Sequence, residues 1–186
     1  PVDVDGYPPA PTLEEGWLDV GHGHSLYYAE SGAKMGIPVV NLHGGPGSFS
    51  KEKHRILFNP EKYRIITFDQ RGCGRSKAKD PLKNNTTQDL VDDIERLRKH
   101  LGIGKWLVTG GSWGSTLALL YTQRYPQNVL GVAIWAVFLA DAFNHKWLFE
   151  KGGAARFFPQ EYADFVTSIG EKNPNYILPT CERLLN

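Results

Sequence analysis

A serine hydroxyl is a weak nucleophile at neutral pH. A chain that uses one must expose it and stabilise the charge it creates. Gly110-Gly111-Ser112-Trp113-Gly114 has the form G-x-S-x-G, with a short apolar run at 106–109 before it and a helical pattern after it. On a tight strand-to-helix turn, the serine takes a strained backbone conformation that only small neighbours permit. Gly110 and Gly114 are expected to remove the side chains that would clash across that turn. The geometry exposes the Ser112 Oγ at a helix N-terminus, where the dipole favours developing negative charge. The competing reading is a glycine-rich turn that happens to contain serine. The flanking strand and helix favour the nucleophile.

A second stretch suits the same chemistry. The apolar run 37–42 ends in His43-Gly44-Gly45-Pro46-Gly47. Three glycines and a proline continue neither strand nor helix, but they form a turn with bare backbone N–H groups. Beside the G-x-S-x-G turn, this is the expected second half of an oxyanion hole. Alone, it would pass for a plain surface loop. A phosphate cradle is a poorer fit, because G-x-x-x-x-G-K-[ST] occurs nowhere. A third stretch, Asp69-Gln70-Arg71-Gly72-Cys73-Gly74-Arg75-Ser76, follows an apolar run at 63–68. Asp69 and Arg71 are expected mainly to organise this loop through charged hydrogen bonds.

These stretches need elements to position them. Runs at 17–20 and 24–30 around Gly21-His22-Gly23 predict a hairpin. Runs at 37–42, 63–68 and 106–109 predict strands covered on both faces, and 129–137 predicts another buried strand. Asn85 or Thr86 caps a helix whose stripe is Leu90, Ile94, Leu97 and Leu101; its charges, acids first and bases last, suit a solvated face. Gly102 and Pro126 end the two central helices. The β–α–β alternation predicts an α/β fold with a mostly parallel sheet and helices on both faces. Ligands then sit at the carboxyl ends of the strands, where His43, Asp69 and Ser112 fall. The expected organisation is an irregular arm at 1–13, a core at 14–139 and the beginning of a helical cap at 140–186.

Composition narrows the classes. Twenty-one basic and twenty acidic side chains leave a net charge of +1, so nothing favours nucleic acid or an anionic membrane. The longest apolar stretch, 132–140, is too short to span a bilayer. Cys73 and Cys181 make no disulfide framework, and the N-terminus lacks a signal-peptide pattern, so a cytoplasmic location is expected. Cys73 reads as a small buried hydrophobe. There is no H-E-x-x-H and no paired C-x-x-C, so neither metal nor organic cofactor is implied.

The three loop motifs, in this order and spacing, resemble the prolyl aminopeptidase (proline iminopeptidase) family of α/β-hydrolases. Gly152-Gly153-Ala154-Ala155-Arg156-Phe157-Phe158-Pro159 is similar to the start of that family's cap. The resemblance covers roughly residues 13–170. It implies Ser112 as nucleophile and the backbone N–H groups of Gly45 and Trp113 as the oxyanion hole, with Gly44 shaping the loop. It implies release of N-terminal proline from short peptides through an acyl-enzyme. A carboxylesterase or other small-amide hydrolase keeps the reaction and changes the substrate. The stretch at 133–138 departs from the family by lacking its Leu-Arg-Gly.

The base is missing. In this fold the order is serine, then acid, then histidine. After Ser112 the only histidine is His145, four residues past Asp141, a spacing that suits one helix face rather than a triad. His22, His24, His54 and His100 read as surface or loop residues, and His43 as a loop former. The resemblance places the triad Asp and His in a C-terminal part of the fold without counterpart here. The expectation is therefore an N-terminal portion, inactive by itself, with an unpaired sheet edge. It would be completed by a complementary C-terminal polypeptide or by self-association, or else serve as a non-catalytic interaction module.

Overall fold

The computed structural model describes residues 6–171 and 176–185. Positions 1–5 of the expected arm, and 172–175 and 186 of the expected cap, lie outside the described residues. The chain divides into two units, Pro1–Phe138 and Leu139–Asn186.

The first unit is built on one sheet of β1 (Thr12–Gly21), β2 (His24–Gly32), β3 (Ile37–Leu42), β4 (Tyr63–Phe68), β5 (Lys77–Ala78), β6 (Trp106–Ser112) and β7 (Val129–Val137). The order is β1-β2-β4-β3-β6-β7, with the two-residue β5 on β2. β2 pairs antiparallel with β1, β4 and β5, whereas β3–β4, β3–β6 and β6–β7 are parallel. β2 alone therefore runs against the rest, and the sheet is mostly parallel. The β1–β2 hairpin closes at His22-Gly23, with φ of +54° and +76°, the left-handed pair that a two-residue turn demands. The irregular arm is shorter than expected. Thr12 already pairs with Ser31, and Ala10 is buried among Val39, Phe58 and Ile65, so burial extends the order N-terminally.

Two helices carry the sheet's connections. α1 (Thr87–His100) starts in a capping box, with Thr86 and Asp89 satisfying each other's backbone N–H. Leu90, Ile94 and Leu97 are buried, as their spacing predicts. Its charges do not all face solvent. Asp93 is fully buried and grips the fully buried Arg71 through two bonds of 2.5 and 2.8 Å. Glu95 is buried too, accepting from Arg98, from the Tyr121 hydroxyl at 2.9 Å and from Asn128. The helix has charge partners on two sides, which periodicity cannot reveal. α2 (Trp113–Arg124) buries Leu117, Ala118 and Tyr121 and ends before Pro126.

β7 has the expected bounds but is not a buried strand. Trp135 and Val137 are 42% and 56% exposed. β7 is the last strand of the order and pairs only with β6 among the described residues, so one edge and much of its side-chain surface are uncovered.

The second unit contains α3 (Ala142–Phe149), a 3₁₀ turn at Ala154–Arg156, α4 (Pro159–Ser168) and α5 (Ile177–Leu185). Asp141 caps α3, accepting the Asn144 N–H at 2.7 Å. A side chain at Gly153 would stand 1.9 Å from the Trp147 carbonyl oxygen, which is why the α3–α4 connection needs glycine there.

Asp93→Ala strands the buried Arg71 guanidinium. It is expected to lower unfolding free energy by about 3–5 kcal/mol in urea titration.

Candidate active site

Ser112 is the last residue of β6 and the residue from which α2 departs. Its φ of +55° and ψ of −126° lie outside the ordinary regions for a side-chain-bearing residue. Such a conformation costs on the order of 1–3 kcal/mol and persists only when its surroundings enforce it. Here they do so through backbone proximity. A Cβ at Gly110 would lie 2.4 Å from the Gly114 carbonyl oxygen, across the turn as expected. Gly114 itself meets a different strand: its Cβ would lie 2.1 Å from the Leu42 carbonyl oxygen at the end of β3. Gly111 is closed off by Trp135, whose indole nitrogen would be 2.2 Å from a Cβ. The first turn of α2 adds polar clamps. The buried Ser115 hydroxyl donates to the Ser112 carbonyl at 2.6 Å and accepts from the Phe138 N–H at 3.0 Å. Ser112 is exposed while its neighbours Gly111 and Trp113 are buried.

The glycine loop after β3 runs against this serine. A Cβ at Gly44 would sit 3.3 Å from the Gly111 carbonyl oxygen and 3.4 Å from the Ser112 Cβ. Gly45, at φ +129°, turns the chain so tightly that a Cβ would meet the Gly47 nitrogen at 2.6 Å. Gly44 and Ser112 are thus brought together. Gly45 follows on the same loop, and Trp113 opens the helix.

One residue that the sequence reading passed over joins these pieces. Gln70, buried at the end of β4, donates its backbone N–H to His43 Nε2 at 3.0 Å and its side-chain amide to the His43 carbonyl at 2.8 Å. Its side-chain oxygen accepts the Trp113 indole N–H at 3.1 Å. An indole only donates and a carbonyl only accepts, so the amide orientation follows from its partners. His43 Nε2 accepts, so its proton is on Nδ1, which donates to the Gly44 carbonyl at 2.8 Å. Burial pushes the His43 pKa down from its ordinary value, and the imidazole is a neutral loop former rather than a base. The missed signal was Gln70 itself, an uncharged polar residue between two charged ones in a loop that must be buried.

Its neighbours fulfil the expected loop-building role. Asp69, fully buried, accepts the Ser50 N–H and the Arg75 N–H, both at 2.8 Å. Burial opposes the charge of Asp69, but hydrogen bonds from Arg75 and Ser50 prevail and hold its carboxyl below the usual range. Arg71 reaches the other way, to α1.

A cavity of about 430 Å³ opens beside Ser112, walled by Gly44, Trp135, Leu57, Lys53 and His54. His54 is therefore a wall of the site, not a plain surface residue. Its Nδ1 accepts the Lys51 N–H at 3.2 Å, and burial with Lys53 and Lys51 nearby lowers its pKa. That leaves a neutral ring with its proton on Nε2. His24 is likewise buried rather than exposed, bonded through Nε2 to the Lys83 carbonyl at 2.7 Å. Cys73 is half-buried rather than fully enclosed, and burial raises its thiol pKa. Among the described residues, no group of three or more His, Cys, Asp or Glu is placed to hold a metal ion.

The fold has known counterparts. A family model described as alpha/beta hydrolase fold matches residues 37–173. The chain belongs to the α/β-hydrolase family. Among curated relatives, a proline iminopeptidase of Neisseria meningitidis serogroup A is 46% identical over 173 residues, spanning 93% of this chain and 56% of that one. A proline iminopeptidase of Arabidopsis thaliana is 48% identical over 89% of this chain and 43% of its own. The solved proline iminopeptidase of Mycobacterium smegmatis superposes with a TM-score of 0.57 at 26% identity, covering 64% of this chain and 42% of that one. The α/β-hydrolase chain described here thus spans about half the length of the curated relatives it matches.

Gly114→Ala should destabilise the protein despite alanine's better helix propensity, because the methyl meets backbone rather than a movable side chain. Thermal melting checks the sign. For His43, the unfolded chain takes up a proton below its ordinary value of 6.5 that the folded chain refuses. Stability is therefore fully present above pH 6.5 and falls as pH drops toward the depressed folded value. His43→Asn should flatten that slope in urea titrations between pH 7 and pH 5.

Proposed function

We propose that this chain carries the nucleophile and oxyanion hole of a serine hydrolase of the proline iminopeptidase type, which releases N-terminal proline from short peptides. The observation that carries the reading is Ser112, exposed in a left-handed conformation at the start of α2 with the Gly44 backbone against it. The similarity to proline iminopeptidases supplies the substrate class.

In this reading, the Ser112 Oγ attacks the scissile carbonyl and gives up its proton to a histidine base, which passes it to the departing amine. The tetrahedral oxyanion is held by the backbone N–H groups of Trp113 and Gly45. Gly44 lets the loop come close. The acyl-enzyme that forms is released by water. The triad histidine and its orienting carboxylate belong to the part of the fold that the stretch described does not span. His43 and His54 are each committed to other hydrogen bonds, and Asp141 caps α3.

Two assays test this. A fluorophosphonate probe should label the catalytically competent protein once, at Ser112, with Ser112→Ala unlabelled. The competent protein should cleave proline 4-nitroanilide, and Ser112→Ala should lower kcat by about 10⁴-fold or more. Labelling without turnover of prolyl substrates would reject the aminopeptidase assignment and retain the hydrolase.

A further inference from the structure

We propose that Gln70 is a positioning residue for the oxyanion hole, setting the spacing between its two halves. The inference rests on the serine hydrolase reading above.

The two proposed donors lie on separate segments. Gly45 is two residues past His43 on the loop after β3, and Trp113 opens α2 after β6. Nothing in the covalent chain sets the distance between them. Gln70 sits on a third segment, after β4, and bonds to both. Its side-chain nitrogen holds the His43 carbonyl at 2.8 Å, and its oxygen holds the Trp113 indole at 3.1 Å. Its main-chain N–H holds the His43 ring at 3.0 Å, and that ring in turn donates to the Gly44 carbonyl at 2.8 Å. Two bonds thus fix His43, one through its carbonyl and one through its ring.

A role in stabilising its own loop alone would not need these partners. Asp69 already closes that loop on its own Arg75 and ties it to Ser50, and Arg71 ties it to α1 through Asp93. Gln70 is the residue of the three whose bonds go to the two oxyanion segments. The requirement is specific: one end must donate and the other accept, 2.8 and 3.1 Å from fixed partners. A glutamate would put a carboxylate oxygen against the His43 carbonyl, and a leucine would leave both partners unpaired.

The test uses Gln70→Leu, Gln70→Glu and Trp113→Phe, the last keeping a ring and removing only the indole N–H. With proline 4-nitroanilide and the competent protein, kcat should fall about tenfold to a hundredfold with KM within about twofold, since misplaced donors weaken only the transition state. In ¹⁵N relaxation, the Gly45 order parameter should drop from about 0.85 to below about 0.6, while Val39 and Ile66 stay unchanged. Trp113→Phe carries the test alone if the Gln70 variants do not fold. Folded variants with unchanged kcat, or with Gly45 as rigid as before, would overturn the proposal. If even the unsubstituted protein turns over no prolyl substrate, the aminopeptidase reading fails, and the order parameter alone decides the positioning claim.

Discussion

The close approach of α2 to the end of β3 governs the rest of the site. Gly114 lies so near the Leu42 carbonyl that no side chain fits between them. Bringing a helix start that near to a strand end forces the preceding residue, Ser112, into its left-handed conformation. It also brings Gly44, two residues past Leu42, against that serine. One contact therefore creates the strain, exposes the hydroxyl and delivers the loop that faces it. The cost of the strained residue, on the order of 1–3 kcal/mol, is offset by packing that the buried Leu117, Ala118 and Tyr121 of the same helix supply.

Holding loops at the strand ends is a separate problem, because they carry backbone groups that water would otherwise satisfy. The segment after β4 solves it with three consecutive side chains facing three ways. Asp69 gathers Ser50 and Arg75, Gln70 reaches the β3 and β6 ends, and Arg71 plunges to Asp93 on α1. Buried charges of this kind contribute little net stability against an apolar replacement, but losing one partner is costly. Their effect is to allow one arrangement of the loops and penalise others.

The strand pattern and the bounds of α1 and α2 were legible in the sequence. Apolar runs at 37–42, 63–68 and 129–137 gave strands with those limits, and Thr86 capped α1. Burial was less legible. β7 reads as apolar yet is largely exposed, because hydropathy reports what a strand can bury and not whether a neighbour covers it. Asp93 and Glu95 read as a solvated face yet are buried, because their partners, Arg71 and Tyr121, come from distant parts of the chain.

The sequence by itself determined the strained turn at Ser112, the glycines around it and the glycine loop of 43–47. Those depend on local sterics, and local sterics are written in residue types and spacing. Only the tertiary structure decided that Gly114 answers to Leu42, that His43 is a neutral strut, that His54 walls the cavity and that Gln70 stitches three strand ends together. Each of these is a meeting of segments separated by tens of residues, and hydrogen-bond partners at such separation leave no periodic trace in one chain.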